Sequence, residues 1–169
     1  MTALRINDLA QPQLTEVQSG ALDATKDMLV DLSVEGILAD AKRKVQLDDF
    51  GPQDFLRRLQ LLCDEWRSDE GLTNIGKLTL RNSLVQYARN RLLIHDLLQR
   101  HPEIHDEKIE RPLIVCGLPR SGTTHLVNLL AADSRLRSLP LWESYEPVPS
   151  PHDKPREDGV DPRYARCQK

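Results

Sequence analysis

The chain has 169 residues, of which 39% are hydrophobic and 29% charged, and its formal net charge is −3 at pH 7. This length predicts about one domain with a modest core, and the slightly acidic balance disfavours binding of nucleic acid through bulk positive charge. No run of about 18 apolar residues occurs, so no transmembrane segment is predicted.

The three cysteines, Cys63, Cys116 and Cys167, are widely spaced along the chain. Their odd number, and an N-terminus without a basic segment followed by an apolar one, indicate a reducing, cytoplasmic location. Four histidines, His95, His101, His105 and His152, have no cysteine or carboxylate at ligand spacing, so no metal site is predicted.

The first hundred residues predict an arm followed by helices. Residues 1–24 are polar and aperiodic and predict a loosely ordered arm, whereas residues 25–105 predict a helical region. Ser33 and Thr73 are good N-caps, and Pro52 suits the first turn of a helix. The predicted helices cover residues 25–33, 34–45, 52–68 and 74–100.

The pattern changes over residues 111–169. The apolar run 112–116 predicts a strand that is buried on both faces, with Cys116 as a small buried residue. A glycine-rich turn and an apolar-periodic helix to about Asp133 follow. A second extended segment is predicted over Ser138–Trp142, and the proline-rich tail from Pro147 predicts irregular structure.

The most informative stretch is LIVCGLPRSGTT, residues 113–124. Two glycines separated by four residues lie between a predicted strand and a helix, and this spacing is typical of a loop that binds phosphate. Glycines let successive N–H groups point into one concavity, and the helix adds its own N-terminal N–H groups. Thr123 stands where nucleotide triphosphatases have lysine, and the basic residue is instead Arg120, inside the loop. The predicted ligand is therefore a phosphate or sulfate group.

The segment GLPRSGTT, residues 117–124, resembles the 5′-phosphosulfate loop of sulfotransferases that use 3′-phosphoadenosine 5′-phosphosulfate (PAPS), in the bacterial branch with arginine in this loop. The run 111–149 and the LDDFG sequence at residues 47–51 are also similar to that branch. The resemblance implies an α/β, three-layer fold of the P-loop sulfotransferase type. This chain would hold its helical N-terminal region and the first strand–loop–helix unit, so that residues 111–169 begin the P-loop domain.

The resemblance also implies roles for individual residues. Arg120 would bind the transferred group and assist its transfer, and no metal would be required. Glu143 would be the catalytic base, with Glu146 as the fallback; the alternative is that Glu143 is an ordinary solvated carboxylate. His125 is interpreted as packing or hydrogen-bonding on the first turn of the helix. The residues implied to contact the 5′-phosphosulfate are Arg120, Ser121, Gly122, Thr123 and Thr124.

The implied function is transfer of a sulfuryl group from PAPS to the hydroxyl of a small-molecule or lipid-like acceptor. Two alternatives stay open: a P-loop phosphotransferase that binds a nucleotide, and a non-catalytic helical interaction module with a remnant loop. Nothing after Glu146 matches the residues that hold the 3′-phosphate in sulfotransferases. The expectation is therefore that this is the N-terminal portion of a longer enzyme, with little or no turnover by itself.

Overall fold

The computed structural model describes residues 13–150, 153–154 and 158–168, and it divides into two compact units. One unit holds the chain up to Gln46 together with Gly51–Arg89, and the other holds Leu47–Phe50 and the chain from Asn90 onward. Short 3₁₀ helices cover Gln53–Phe55 and Pro102–Asp106. The α-helices of the described residues are α1 (Glu16–Thr25), α2 (Val34–Val45), α3 (Leu56–Ser68), α4 (Asn74–Arg100), α5 (Thr123–Ala131), α6 (Leu141–Tyr145) and α7 (Pro162–Cys167).

Two of the predicted helices are confirmed together with their caps. The hydroxyl of Ser33 accepts a hydrogen bond from the Gly36 N–H at 3.1 Å at the start of α2. Thr73 accepts one from the Gly76 N–H at 3.2 Å at the start of α4. Each hydroxyl satisfies an N–H that has no partner inside its helix. The helix predicted over residues 52–68 exists too, but it begins as a 3₁₀ turn that leads into α3.

The helix predicted over Thr25–Ser33 is wrong. Helix α1 ends at Thr25, and its start is fixed by a capping box between Thr15 and Gln18 within the segment predicted to be an arm. Beyond it, the Asp31 carboxylate accepts the Ser33 N–H at 2.8 Å, a local bond that competes with helix formation. Residues 1–12 of the predicted arm lie outside the described residues.

The core of the first unit is formed where α2, α3 and α4 contribute apolar side chains. Burial raises the pKa of the Cys63 thiol, because the thiolate would lose its hydration. Arg81 of α4 pairs with Asp40 of α2, and this hydrogen bond lowers the pKa of the Asp40 carboxyl. The buried cluster consists of Val34, Ile37, Leu59, Cys63, Leu84 and Val85.

Truncation of Ile37 to alanine is expected to lower the free energy of unfolding by about 2–5 kcal/mol, because Ile37 is 0% exposed and its removal leaves a cavity. The measurement is urea denaturation followed by circular dichroism. Leu61→Ala is the matched control, since Leu61 is 58% exposed and should change stability by less than about 0.5 kcal/mol. Equal effects at the two positions would contradict the assigned core.

The second unit is organised around the C-terminal part of α4. Leu92 is fully buried there, and the Asn90 side chain donates to the Tyr145 carbonyl at 2.7 Å. The Arg91 Nε donates to the Phe50 carbonyl at 2.9 Å. These bonds attach the end of α6 and the 47–50 segment to α4.

The strand predicted over residues 112–116 is not formed in the described part of the chain. Leu113 and Ile114 are 66% and 79% exposed, and Cys116 is exposed rather than buried. A strand needs a hydrogen-bonding neighbour, and no other extended segment of the described residues pairs with this one. The apolar run therefore has the composition of a buried strand without the sheet that would bury it.

Two further predictions for the second unit are wrong. The segment predicted to be extended over Ser138–Trp142 instead leads into α6, which begins at Leu141 after Pro140. The tail predicted to be irregular contains α7, where Asp161 caps the helix and Pro162 occupies its first turn. Helix α7 thus starts with residues that suit a helix N-terminus, and α6 carries the acidic Glu143 in its first turn.

Candidate functional site

The loop between the extended segment and α5 is bent by two residues with left-handed backbone conformations. Gly122 has φ of 88° and Arg120 has φ of 67°. The Ser121 N–H closes the bend by donating to the Leu118 carbonyl at 3.1 Å. Glycine suits the first of these positions, whereas Arg120 adopts a conformation that costs a residue with a Cβ about 1–2 kcal/mol. Such local strain is typical of functional loops.

Gly117 is required at the start of the loop because the chain folds back closely over it. A Cβ at this position would lie 2.6 Å from Ser121 Oγ and 2.8 Å from Thr123 Cγ2. The hydroxyl of Ser121 thus lies over Gly117, on the inner side of the bend. The structure therefore explains why glycine occupies both positions of the phosphate-loop frame: Gly117 has no room for a Cβ, and Gly122 has a positive φ.

Helix α5 begins directly after Gly122, with Thr123 as its first residue. The N–H groups at the start of a helix have no carbonyl partner within it, and the aligned peptide dipoles give this end a partial positive charge. No side chain caps α5. The helix end is thus suited to an external acceptor such as an anion.

A pocket of about 460 Å³ opens beside this helix start. Within the described residues, the Arg120 guanidinium forms no ion pair, so it is available to a bound anion. Ser121 does not line the pocket. The lining residues are Arg120, Gly122, Thr123, Thr124, His125 and Asn128.

The pocket contains two side chains that the sequence motif did not assign. His125 was interpreted as packing or hydrogen-bonding on the first turn of α5, but it is exposed beside the pocket, and its ring has no hydrogen-bond partner within the described residues. Asn128 was missed, although its spacing of four residues from Thr124 places both on one face of α5. Helical spacing beyond the loop was the signal that could have identified it.

The predicted base Glu143 lies on α6, and it is not among the residues that line the pocket. Both of its carboxylate oxygens accept from Arg137 Nη2, at 3.0 and 2.8 Å. Its side chain is 18% exposed, whereas that of Arg137 is 75% exposed. An exposed arginine thus donates both hydrogen bonds to a largely shielded carboxylate.

The fallback base Glu146 is held by more hydrogen bonds than Glu143. Arg166 Nε donates to both of its oxygens at 3.1 Å, and Arg166 Nη1 also donates to Asp153 at 2.7 Å. The hydrogen bonds with Asp153 and Glu146 raise the pKa of Arg166, and the bond from Arg166 lowers the pKa of Asp153. Helix α7 thereby holds Glu146 in an ion-pair network.

The same helix contacts α6 through a second arginine. Arg163 lies over the ring of Trp142 at 4.7 Å, and it donates to the Glu146 carbonyl at 3.0 Å. Its bond to Asp161 lowers the pKa of that carboxyl.

In the described part of the chain, no group of three or more His, Cys, Asp or Glu residues is arranged to hold a metal ion. No helix there has both the length and the apolar character needed to cross a membrane.

Residues 112–168 match the sequence model of a sulfotransferase family. The crystal structure of sulfotransferase STF1 from Mycobacterium tuberculosis H37Rv is similar to the chain, with 34% identity and a TM-score of 0.69. The chain belongs to the sulfotransferase family. Sulfotransferase STF9 from Mycobacterium avium is also similar, with 31% identity and a TM-score of 0.65. No curated protein sequence matches at a significant level.

The similarity to other sulfotransferases covers most of this chain but a smaller part of each relative. The match to STF1 covers 84% of this chain and 38% of that one, and the match to STF9 covers 73% and 31%. The chain therefore spans less than two fifths of the length of these relatives. The segment that matches the family model contains the loop, α5, α6 and α7, so the family assignment and the pocket concern the same part of the molecule.

Proposed function

We propose that the loop at residues 117–124 binds the 5′-phosphosulfate of PAPS, and that the protein takes part in transfer of a sulfuryl group to a hydroxyl acceptor. The observation that carries this proposal is the pocket at the start of α5, where an unpaired guanidinium and free helix N–H groups converge in a member of the sulfotransferase family. The acceptor class that we propose is a small-molecule or lipid-like alcohol or phenol.

The donor groups of the pocket suit the two negative charges of a phosphosulfate group. Arg120 supplies a charge-assisted donor, and the hydroxyls of Thr123 and Thr124 add two more donors beside the helix N–H groups. Gly117 lets the bend close, with Ser121 supporting it from inside rather than from the pocket. We assign charge neutralisation to Arg120 and the helix end, which makes a metal unnecessary.

Transfer forms a bond from the acceptor oxygen to sulfur and breaks the bond from sulfur to the bridging oxygen, whose electron pair leaves with the phosphate. PAPS supplies the sulfuryl group when it is bound. Arg120 stabilises the negative charge that develops on the leaving oxygen. The acceptor proton goes to Glu143, which we prefer over Glu146 because the latter is held by an arginine that also binds Asp153.

The donor site can be tested by comparing two adenine nucleotides. The chain is expected to bind adenosine 3′,5′-bisphosphate at least about tenfold more tightly than ATP, and without magnesium, because Thr123 replaces the lysine that bridges the outer phosphates of ATP. Isothermal titration with each nucleotide, in EDTA and in magnesium, measures both affinities. Tighter binding of ATP that depends on magnesium would favour the phosphotransferase alternative and contradict the proposal.

A further inference from the structure

The pocket beside α5 extends past the residues that an anion needs. Arg120, Gly122, Thr123 and Thr124 account for its charged and N–H-bearing end, but Asn128 lines it as well. The position of Asn128, four residues after Thr124, places it about 6 Å farther along the helix axis and on the same face. A ligand that filled the pocket would therefore contact the helix end and Asn128 through different parts of its structure.

Asn128 differs in chemistry from the rest of the pocket. Its amide is uncharged and offers both donors and an acceptor. It is exposed, and within the described residues its side chain has no hydrogen-bond partner that would hold it away from a ligand. A neutral amide contributes little to an anion that already has a guanidinium and helix N–H groups, but it pairs well with a hydroxyl or a ring nitrogen.

We infer that Asn128 is a specificity residue that hydrogen-bonds the uncharged, nucleoside part of the donor, whereas Arg120 binds its charged part. This inference rests on the proposed donor site. The pocket volume, about 460 Å³, lies in the range of sites that hold a small organic ligand rather than a lone anion. Asn128 thus lets the site distinguish a nucleotide from an inorganic anion of the same charge.

The test compares two probes on the whole chain, adenosine 3′,5′-bisphosphate and inorganic pyrophosphate. Asn128→Ala is expected to weaken binding of the nucleotide about 3- to 10-fold, the effect of one neutral hydrogen bond, and to leave pyrophosphate binding unchanged. Arg120→Ala is expected to weaken binding of both probes. Asn82→Ala, the same change at an exposed position of α4, is the control and should affect neither.

A second variant tests the position of Asn128 independently of its hydrogen bond. Asn128→Asp keeps the shape of the side chain but adds a negative charge about 6 Å from the anion site at the start of α5. It should therefore weaken the binding of both probes, and this effect should be smaller at high salt. Circular dichroism checks that each variant keeps its helix content. If Asn128→Ala loses affinity for both probes equally, or keeps its full affinity for the nucleotide, the inference is overturned while the donor site stands. Failure of the unmodified chain to bind either probe would overturn both.

Discussion

Replacing Arg120 with alanine is expected to weaken binding of adenosine 3′,5′-bisphosphate by roughly ten- to hundredfold. The guanidinium is a pocket-lining cation without an ion pair inside the described residues, so a bound phosphate would receive its hydrogen bonds without competition from a carboxylate. Charge-assisted bonds of this kind are worth about 1.5–3 kcal/mol, which corresponds to the expected factor. Isothermal titration of the two proteins measures the change.

The control for this variant removes an equal charge elsewhere. Arg57→Ala, at an exposed position of α3, changes the net charge by the same amount and should alter the affinity less than about twofold, because Arg57 does not line the pocket and salt screens exposed charges. Arg120→Lys should restore part of the affinity, since lysine keeps the charge but not the planar fork. If both alanine variants lose the same affinity, Arg120 acts only through net charge and the assigned contact is wrong.

The left-handed backbone of Arg120 adds a second expectation about the same loop. Glycine adopts this conformation without a steric cost, so Arg120→Gly should be as stable as the parent or more stable, although it loses the ligand contact. Residues with strained backbone conformations cluster at functional sites, and Arg120 combines such a conformation with a position in the pocket. Binding and stability would then change in opposite directions in one variant.

Local signals were sufficient to predict helix α2 and the start of helix α4. Ser33 and Thr73 are caps that can be read directly from the sequence, and each makes the predicted bond to the N–H three residues later. The phosphate-loop frame was equally local, because Gly117 and Gly122 are required by the bend itself. In these cases the residues that decide the structure lie within one or two turns of each other.

The extended segment 112–116 could not be predicted in the same way. Its apolar composition suits a buried strand, but burial and pairing depend on other segments, and the described residues offer no partner. Helix α7 was missed for a different reason. The local cap of Asp161 and Pro162 was readable, but it was outweighed by the density of prolines around it. The pairing of Arg166 with Glu146 lies twenty residues apart in sequence and had no local signal.

Glu143 and Glu146 are only three residues apart, and their surroundings give different expectations for catalysis. The Glu143 carboxylate accepts its hydrogen bonds from Arg137, whose side chain is 75% exposed. Glu146 is fixed by Arg166 within a network that also contains Asp153. Moving a proton onto Glu146 would break that network, whereas moving one onto Glu143 would release a single exposed side chain.

In a form of the protein that carries out sulfuryl transfer, substitution of Glu143 by glutamine is therefore expected to lower kcat by about 10²–10⁴-fold, the usual contribution of a general base. Glutamine keeps an oxygen that can accept from Arg137, so the side chain should hold its place but cannot take up the acceptor proton. Nucleotide affinity should change little, because Glu143 does not line the donor pocket. The measurement is transfer from radiolabelled PAPS to a panel of alcohols and phenols, beside the dissociation constant of each variant. Glu65→Gln, an exposed glutamate on α3, is the matched control and should keep both values. If Glu143→Gln keeps kcat and Glu146→Gln loses it, the proton goes to Glu146, and Glu143 is a solvated carboxylate paired with Arg137.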